Sequence, residues 1–188
     1  MFALGNIVPK KTIDYLIRNS ANPTNCQFAE EKARFALPGG MITTKLICGT
    51  YPNWAEAVPK NVQPFLKIER RKLVAALKRI NSFRNGYLQV GTAITMDEDS
   101  IALSSGSSTE HKFCESVPAT VLTADAEEFG INSKFLQSTC KAFADCDTLT
   151  LSRAERGDPS KQKYFTGEPI NVTGDNSDLQ VTIMPMRV

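Results

Sequence analysis

The sequence predicts an α+β fold with helices laid on one side of antiparallel sheets, and three observations carry that expectation. Apolar residues recur at helical spacing in three stretches, residues 10–19, 69–81 and 133–144. Short alternating or β-branched runs fill the intervals between them and end at turn residues. Helix followed by strands occurs twice after residue 60, which reads as a duplicated unit.

In chain order, Pro9 suits a first helical turn, where its missing amide is no loss. The helix over 10–19 gathers Ile13, Leu16 and Ile17 on one face and puts Lys11 and Arg18 on the other. Residues 26–37 and 41–48 read as two strands around Pro38-Gly39-Gly40, whose glycines allow a tight connection. One helix and so few strands make a thin first region, less than a complete domain.

Pro52 and Pro59 punctuate the connector 49–61 and mark a boundary, with a possible helical turn at 54–57. The expected organisation is a partial domain over 1–60 and a complete one over 61–188. Trp54 is expected as packing between the two regions.

The second region opens with a strand at 65–68. The helix over 69–81 then places Leu73, Ala76, Leu77 and Ile80 inward and Lys67, Arg71 and Lys78 outward, with Val74 toward the basic side. Strands are expected at 87–96, 101–105, 112–117 and 120–124, with a turn at Asp97-Glu98-Asp99. The helix over 133–144, capped by Asn132 or Ser133, buries Phe135, Leu136, Thr139, Cys140 and Phe143 and exposes Lys134 and Lys141. Four strands, 148–152, 163–166, 169–173 and 179–184, complete the chain.

The last ten residues form an unusual end. Leu179, Val181 and Ile183 alternate with Gln180 and Thr182, and then Met184, Pro185, Met186, Arg187 and Val188 follow. Chain ends are ordinarily frayed and polar. Thioethers and a proline at a strand end either line a shallow apolar groove or finish the strand's own core, and the residues alone leave both open.

An apolar content of 41% suffices for a core, and a formal charge of +2 spread evenly would attract no polyanion. The charge is not even. Residues 60–84 hold eight basic side chains against Glu69, whereas 97–128 hold eight acids against Lys112 and His111, so one positive and one negative surface are expected. Five cysteines without a CxxC pair indicate free thiols in a reducing, cytoplasmic compartment, with no zinc site. No leader and no membrane span are expected.

Catalytic groups are scarce. His111 stands alone in a polar stretch, the acids 97–99 are too close in sequence to converge on a cation, and neither a phosphate loop nor a nucleophile elbow is present. No enzyme, metal or cofactor is expected. Nucleic-acid contact has more behind it: Lys11, Arg18, Lys67, Arg71, Lys78, Lys134 and Lys141 on exposed polar faces would meet phosphates of double-stranded DNA without reading bases. The plain alternative is a set of solvated helix faces.

Three stretches together carry a resemblance: Ile7-Val8-Pro9-Lys10-Lys11, then Thr44 through Trp54 with Val58-Pro59, and the tail Ile183-Met184-Pro185-Met186-Arg187-Val188. They resemble the bacterial DNA sliding clamps, the beta subunits of DNA polymerase III, and the similarity spans the chain. It implies a DNA-clamp fold, with 1–60 as the C-terminal half of a second clamp domain plus linker and 61–188 as a third domain. It further implies a non-catalytic processivity factor whose full-length form encircles DNA as a homodimer. Replicative DNA polymerase, the clamp loader and repair polymerases would dock short linear motifs in an apolar groove. By motif match the groove comprises Pro52, Ala57, Phe83, Asn132, Phe135, Pro169, Thr182, Ile183, Met184, Pro185, Met186, Arg187 and Val188. Glu56 stands where the family often has a basic residue, and Thr182 replaces a more apolar one. An inert clamp remnant without ring formation is the alternative expectation.

Overall fold

The computed structural model describes residues 6–19, 22–82, 91–105, 113–123, 128–154 and 167–186, with Phe83 as backbone only. The chain divides into two compact units, Met1–Asn53 and Trp54–Val188.

In the first unit, helix α1 (Lys10–Arg18) lies on a three-stranded meander of β1 (Asn25–Phe28), β2 (Lys32–Leu37) and β3 (Gly40–Lys45). Pro9 sits just before the helix, and its carbonyl accepts from Thr12 (2.9 Å) and Ile13 (3.4 Å). The single strand expected over 26–37 is a hairpin instead. Glu30 and Glu31 take the turn, and the Ala29 amide donates to the Lys32 carbonyl at 2.8 Å. A small core of Leu16, Ala33, Phe35 and Leu46 forms between helix and sheet, with Phe28 edge-on to Phe35 at 6.1 Å. On the apolar face of α1, Leu16 is buried whereas Ile13 and Ile17 are exposed. Before the helix, Ile7 bridges antiparallel to Ile47.

The second unit opens with a single turn, α2 (Trp54–Ala57), whose Trp54 is exposed. Then come β4 (Val62–Glu69), α3 (Arg70–Phe83), β5 (Gly91–Met96), β6 (Ser100–Ser105) and β7 (Phe113–Val121). The pattern repeats as β8 (Glu128–Asn132), α4 (Ser133–Ala142), β9 (Thr148–Ala154), β10 (Ile170–Gly174) and β11 (Gln180–Ile183). Each half is strand, helix and three strands, the duplication the sequence suggested.

The sheet order β11-β10-β9-β4-β7-β6-β5-β8 shows how the halves combine. The first strand of each half pairs with the second strand of the other, β4 with β9 and β8 with β5, all antiparallel. Helices α3 and α4 pack against each other, tied by Ser133 Oγ donating to Asn81 Oδ1 (2.6 Å) and Asn81 Nδ2 to Gln137 Oε1 (3.3 Å). Leu73, Ala76, Leu77 and Ile80 of α3 and Leu136, Cys140 and Phe143 of the second helical stretch close the core. Fully burying each large side chain contributes about 1.5–3 kcal/mol.

Several expectations change in detail. In place of two strands at 112–117 and 120–124, the described residues Phe113–Val121 form one strand, β7. Pro118 lies where β7 passes from pairing with β6 to pairing with β4, so its missing amide costs no ladder bond to β4. Lys67 belongs to β4, not to the helix after it, and Val74 packs against the core. Strand β8 was not anticipated. The strand expected at 163–166, His111, and residues 87–90 lie outside the described residues.

Phe65 is the extra residue where the β4–β9 register shifts. It is buried, edge-on to Phe129 at 5.9 Å, with the Arg153 guanidinium 5.3 Å from its ring centre. Arg79 of α3 binds the Glu115 carboxylate of β7 with Nε at 3.0 and 3.1 Å from the two oxygens. That hydrogen bonding, followed by burial against it and the guanidinium charge with it, leaves the Glu115 carboxyl below its ordinary pKa. A carboxyl lowered on folding stabilises above its unfolded pKa and stops doing so as pH falls through its folded one. Glu115→Gln is therefore expected to melt slightly below the parent at pH 7, and the difference should shrink as pH falls below the ordinary carboxylate range; an offset that does not change with pH would deny the pair any electrostatic part.

Candidate functional site

The site is built at a corner where both ends of the long sheet meet. Strand β11 is one edge of that sheet and β8 the other. Past β11 the chain turns through Met184 and Pro185 until the Met186 amide donates to the Gly130 carbonyl at 2.9 Å, an antiparallel bridge to β8. The tail thus spans from one edge to the other and is held at both.

Two residues beyond Gly130, β8 gives way to α4. Asn132 is the cap: its Oδ1 accepts from the Lys134 amide (3.0 Å) and the Phe135 amide (3.3 Å), satisfying two otherwise orphaned donors. The cap fixes the first turn, and with it Phe135. Instead of the buried position its helical spacing suggested, Phe135 is 64% exposed. Met184 is 57% exposed and Met186 36%, with Pro185 half-buried between them. Large apolar side chains left in water on a well-packed frame are what a docking surface needs.

Ile183 differs from its neighbours. It pairs with Ile170 and faces the core, so it supports the tail from beneath. Thr182 is half-buried and its hydroxyl donates to Asn171 Oδ1 at 2.7 Å. Asn171 is 1% exposed and its Nδ2 has no protein acceptor, leaving a buried amide donor beside β11. By strand alternation it shares a face with half-buried Pro169. Sequence reasoning passed over Asn171, although a polar residue between Ile170 and Val172 in a core strand was the signal.

Ala57 is exposed at the end of α2, and Pro52, also exposed, lies in the other compact unit. Arg187, Val188 and the Phe83 side chain fall outside the described residues.

The basic side chains are all exposed: Lys11 and Arg18 on α1, Lys67 on β4, Arg71 and Lys78 on α3, Lys134 and Lys141 on α4. Because α3 and α4 pack side by side, four of these cations ride on one helical pair. Among the described residues no three His, Cys, Asp or Glu side chains are placed to hold a metal ion, and Asp97 and Asp99 bracket the β5–β6 turn. Burial pushes the Cys140 thiol up to about 12, so it is a packing group and not a nucleophile. No helix among the described residues is long and apolar enough to cross a membrane.

No protein-family model matches the chain. The beta sliding clamp of Haemophilus influenzae is 22% identical over 185 residues, which cover 97% of this chain and 47% of the relative. Among solved structures, a sliding clamp of Bartonella birtlesii bound to griselimycin superposes with a TM-score of 0.77 at 20% identity, over 99% of this chain and 48% of that one. The polymerase III beta protein of Caulobacter crescentus gives 0.77 at 21% identity, over 97% and 47% of the two chains. A Pseudomonas aeruginosa clamp solved with a ligand gives 0.73 at 17% identity, over 96% and 47%. The fold is that of the sliding clamps, and the chain spans about half the length of the curated relative it matches.

Proposed function

We propose that this chain, built on the sliding-clamp fold, is the partner-docking part of a non-catalytic processivity factor for DNA replication. Short linear motifs of polymerases and of the clamp loader occupy the corner between the tail and α4. Duplex DNA meets the exposed cations of α3 and α4 without sequence preference, and encirclement belongs to the full-length form.

One observation carries this: the Met186–Gly130 bridge brings Met184 and Met186 to the same corner as exposed Phe135, next to the capped start of α4. Such a surface takes aliphatic and aromatic anchors of an extended peptide, and thioethers adapt to anchors of different shape. Asn132, at the start of α4, adds a polar group beside the apolar surface. Sliding asks for weak, non-specific phosphate attraction, and lysine and arginine on exposed faces supply that kind of contact.

The test is a fluorescent peptide of Gln and Leu/Phe composition, titrated against the whole chain. Micromolar capture is expected, falling about tenfold, or about 1.4 kcal/mol, in Phe135→Ala and in Met184→Ala. Equal affinity in both variants would remove the groove from this corner. Absence of any capture by the parent would leave an inert clamp fold.

A further inference from the structure

Strand β11 has two unlike faces. Val181 and Ile183 pack against the core, so Gln180 and Thr182 turn the other way, and strand alternation carries exposed Met184 to the same side. Opposite Thr182 in the ladder stands Asn171, and opposite Asn171 on its other side stands Ser152 of β9. A polar row thus crosses three strands and ends two residues from Met184.

Burial makes this row unusual. Asn171 and Ser152 are 1% and 7% exposed, although they lie on the face away from Ile170, Val172 and Leu151, which fill the core. Asn171 Oδ1 accepts the Thr182 hydroxyl at 2.7 Å, while its Nδ2 has no acceptor. A buried donor left unmet lowers stability, and an aliphatic side chain of that size in its place would not. Proteins keep such departures from good packing chiefly where function asks for them.

The consequence falls on half-buried Thr182. Its hydroxyl spends its one hydrogen on Asn171, which leaves its lone pairs to accept from a ligand. We propose that this pair makes the docking surface select a carboxamide side chain, glutamine or asparagine, beside Met184, with the ligand N–H donating to Thr182 Oγ1. Thr182 is the residue the peptide touches; Asn171, sealed behind it, is a positioning residue that orients the hydroxyl. The row itself is uncharged, so a neutral donor suits it better than a lysine, whose charge would lose water without a counter-charge. This rests on the docking reading above and adds which side chain that surface prefers at one point.

The fluorescent Gln and Leu/Phe peptide tests it when each apolar residue is replaced in turn by glutamine and the set is titrated against the whole chain. One replacement is expected to bind the parent about fivefold more tightly than the original peptide. Thr182→Val, equal in shape but without the hydroxyl, should reverse that order, and Thr182→Ser should keep it. Asn171→Leu should lose the preference without a fall in melting temperature, a result that a merely structural role would not give. A parent that ranks every glutamine replacement below the original, or a Thr182→Val protein that ranks the set as the parent does, would overturn this inference while the docking corner stands. A parent that captures none of the set overturns both.

Discussion

Met186→Pro is expected to weaken peptide capture at least tenfold while shifting the melting temperature by no more than a few degrees. Proline has no amide hydrogen, so the Met186–Gly130 bond is lost, and with it the tie that holds the tail to β8. That bond is worth about 0.5–1.5 kcal/mol net. Its larger effect is positional, because Met184 and Pro185 lie between it and β11. Strand β11 keeps its own register, Ile170 opposite Ile183 through Thr173 opposite Gln180, so the fold has little to lose. Met186→Ala is the control: the backbone bond stays, only the thioether goes, and the loss should be about threefold. Fluorescence anisotropy and calorimetry on the three proteins measure both quantities. Capture by Met186→Pro at parental strength would show that the tie to β8 does not shape the corner.

Gly174→Ala is expected to have the largest effect on stability, about 1–3 kcal/mol, as an insertion into a packed core. A Cβ built at Gly174 would lie 2.4 Å from the Cys146 Sγ and 2.9 Å from Phe143 Cδ1. Both neighbours are buried, so neither can swing into solvent. The position also ends β10, where Asp175 accepts from the Asp147 (3.1 Å) and Thr148 (3.2 Å) amides, so a shift there disturbs the start of β9. At about 2–4 °C per kcal/mol for a chain of this size, the melting point should fall by several degrees. Cys146→Ala removes the nearest atom, so Gly174→Ala/Cys146→Ala should be more stable than the two single losses added together. Strict additivity in the double variant would place the clash elsewhere.

Much of this fold was legible because helical periodicity and turn chemistry are local properties. The faces of α3 and α4, the cap at Asn132 and the glycine turn before β3 all follow from residues within a few positions of one another. Strand limits were less legible where pairing overrides composition. Residues 26–37 looked like one run until the Glu30-Glu31 turn split them, and Pro118 looked like a break although β7 continues through it with a change of partner. Phe135 shows the limit of periodicity: it was placed on the buried face by spacing, yet it stands in solvent at the first turn of α4. Asn171 went unnoticed because a buried amide is decided by what lies across the strand.

By itself, the sequence determined an α+β chain of duplicated helix-and-sheet pattern and an apolar tail, and three of its stretches carried the resemblance to sliding clamps. Only the tertiary structure decided that the tail crosses to β8, since a backbone hydrogen bond between residues 130 and 186 leaves no mark on side-chain pattern. It also decided that Ile17 is bare while Leu77, at the same spacing, is sealed. Periodicity says which face of a helix is apolar; whether anything covers that face depends on residues far away in the chain.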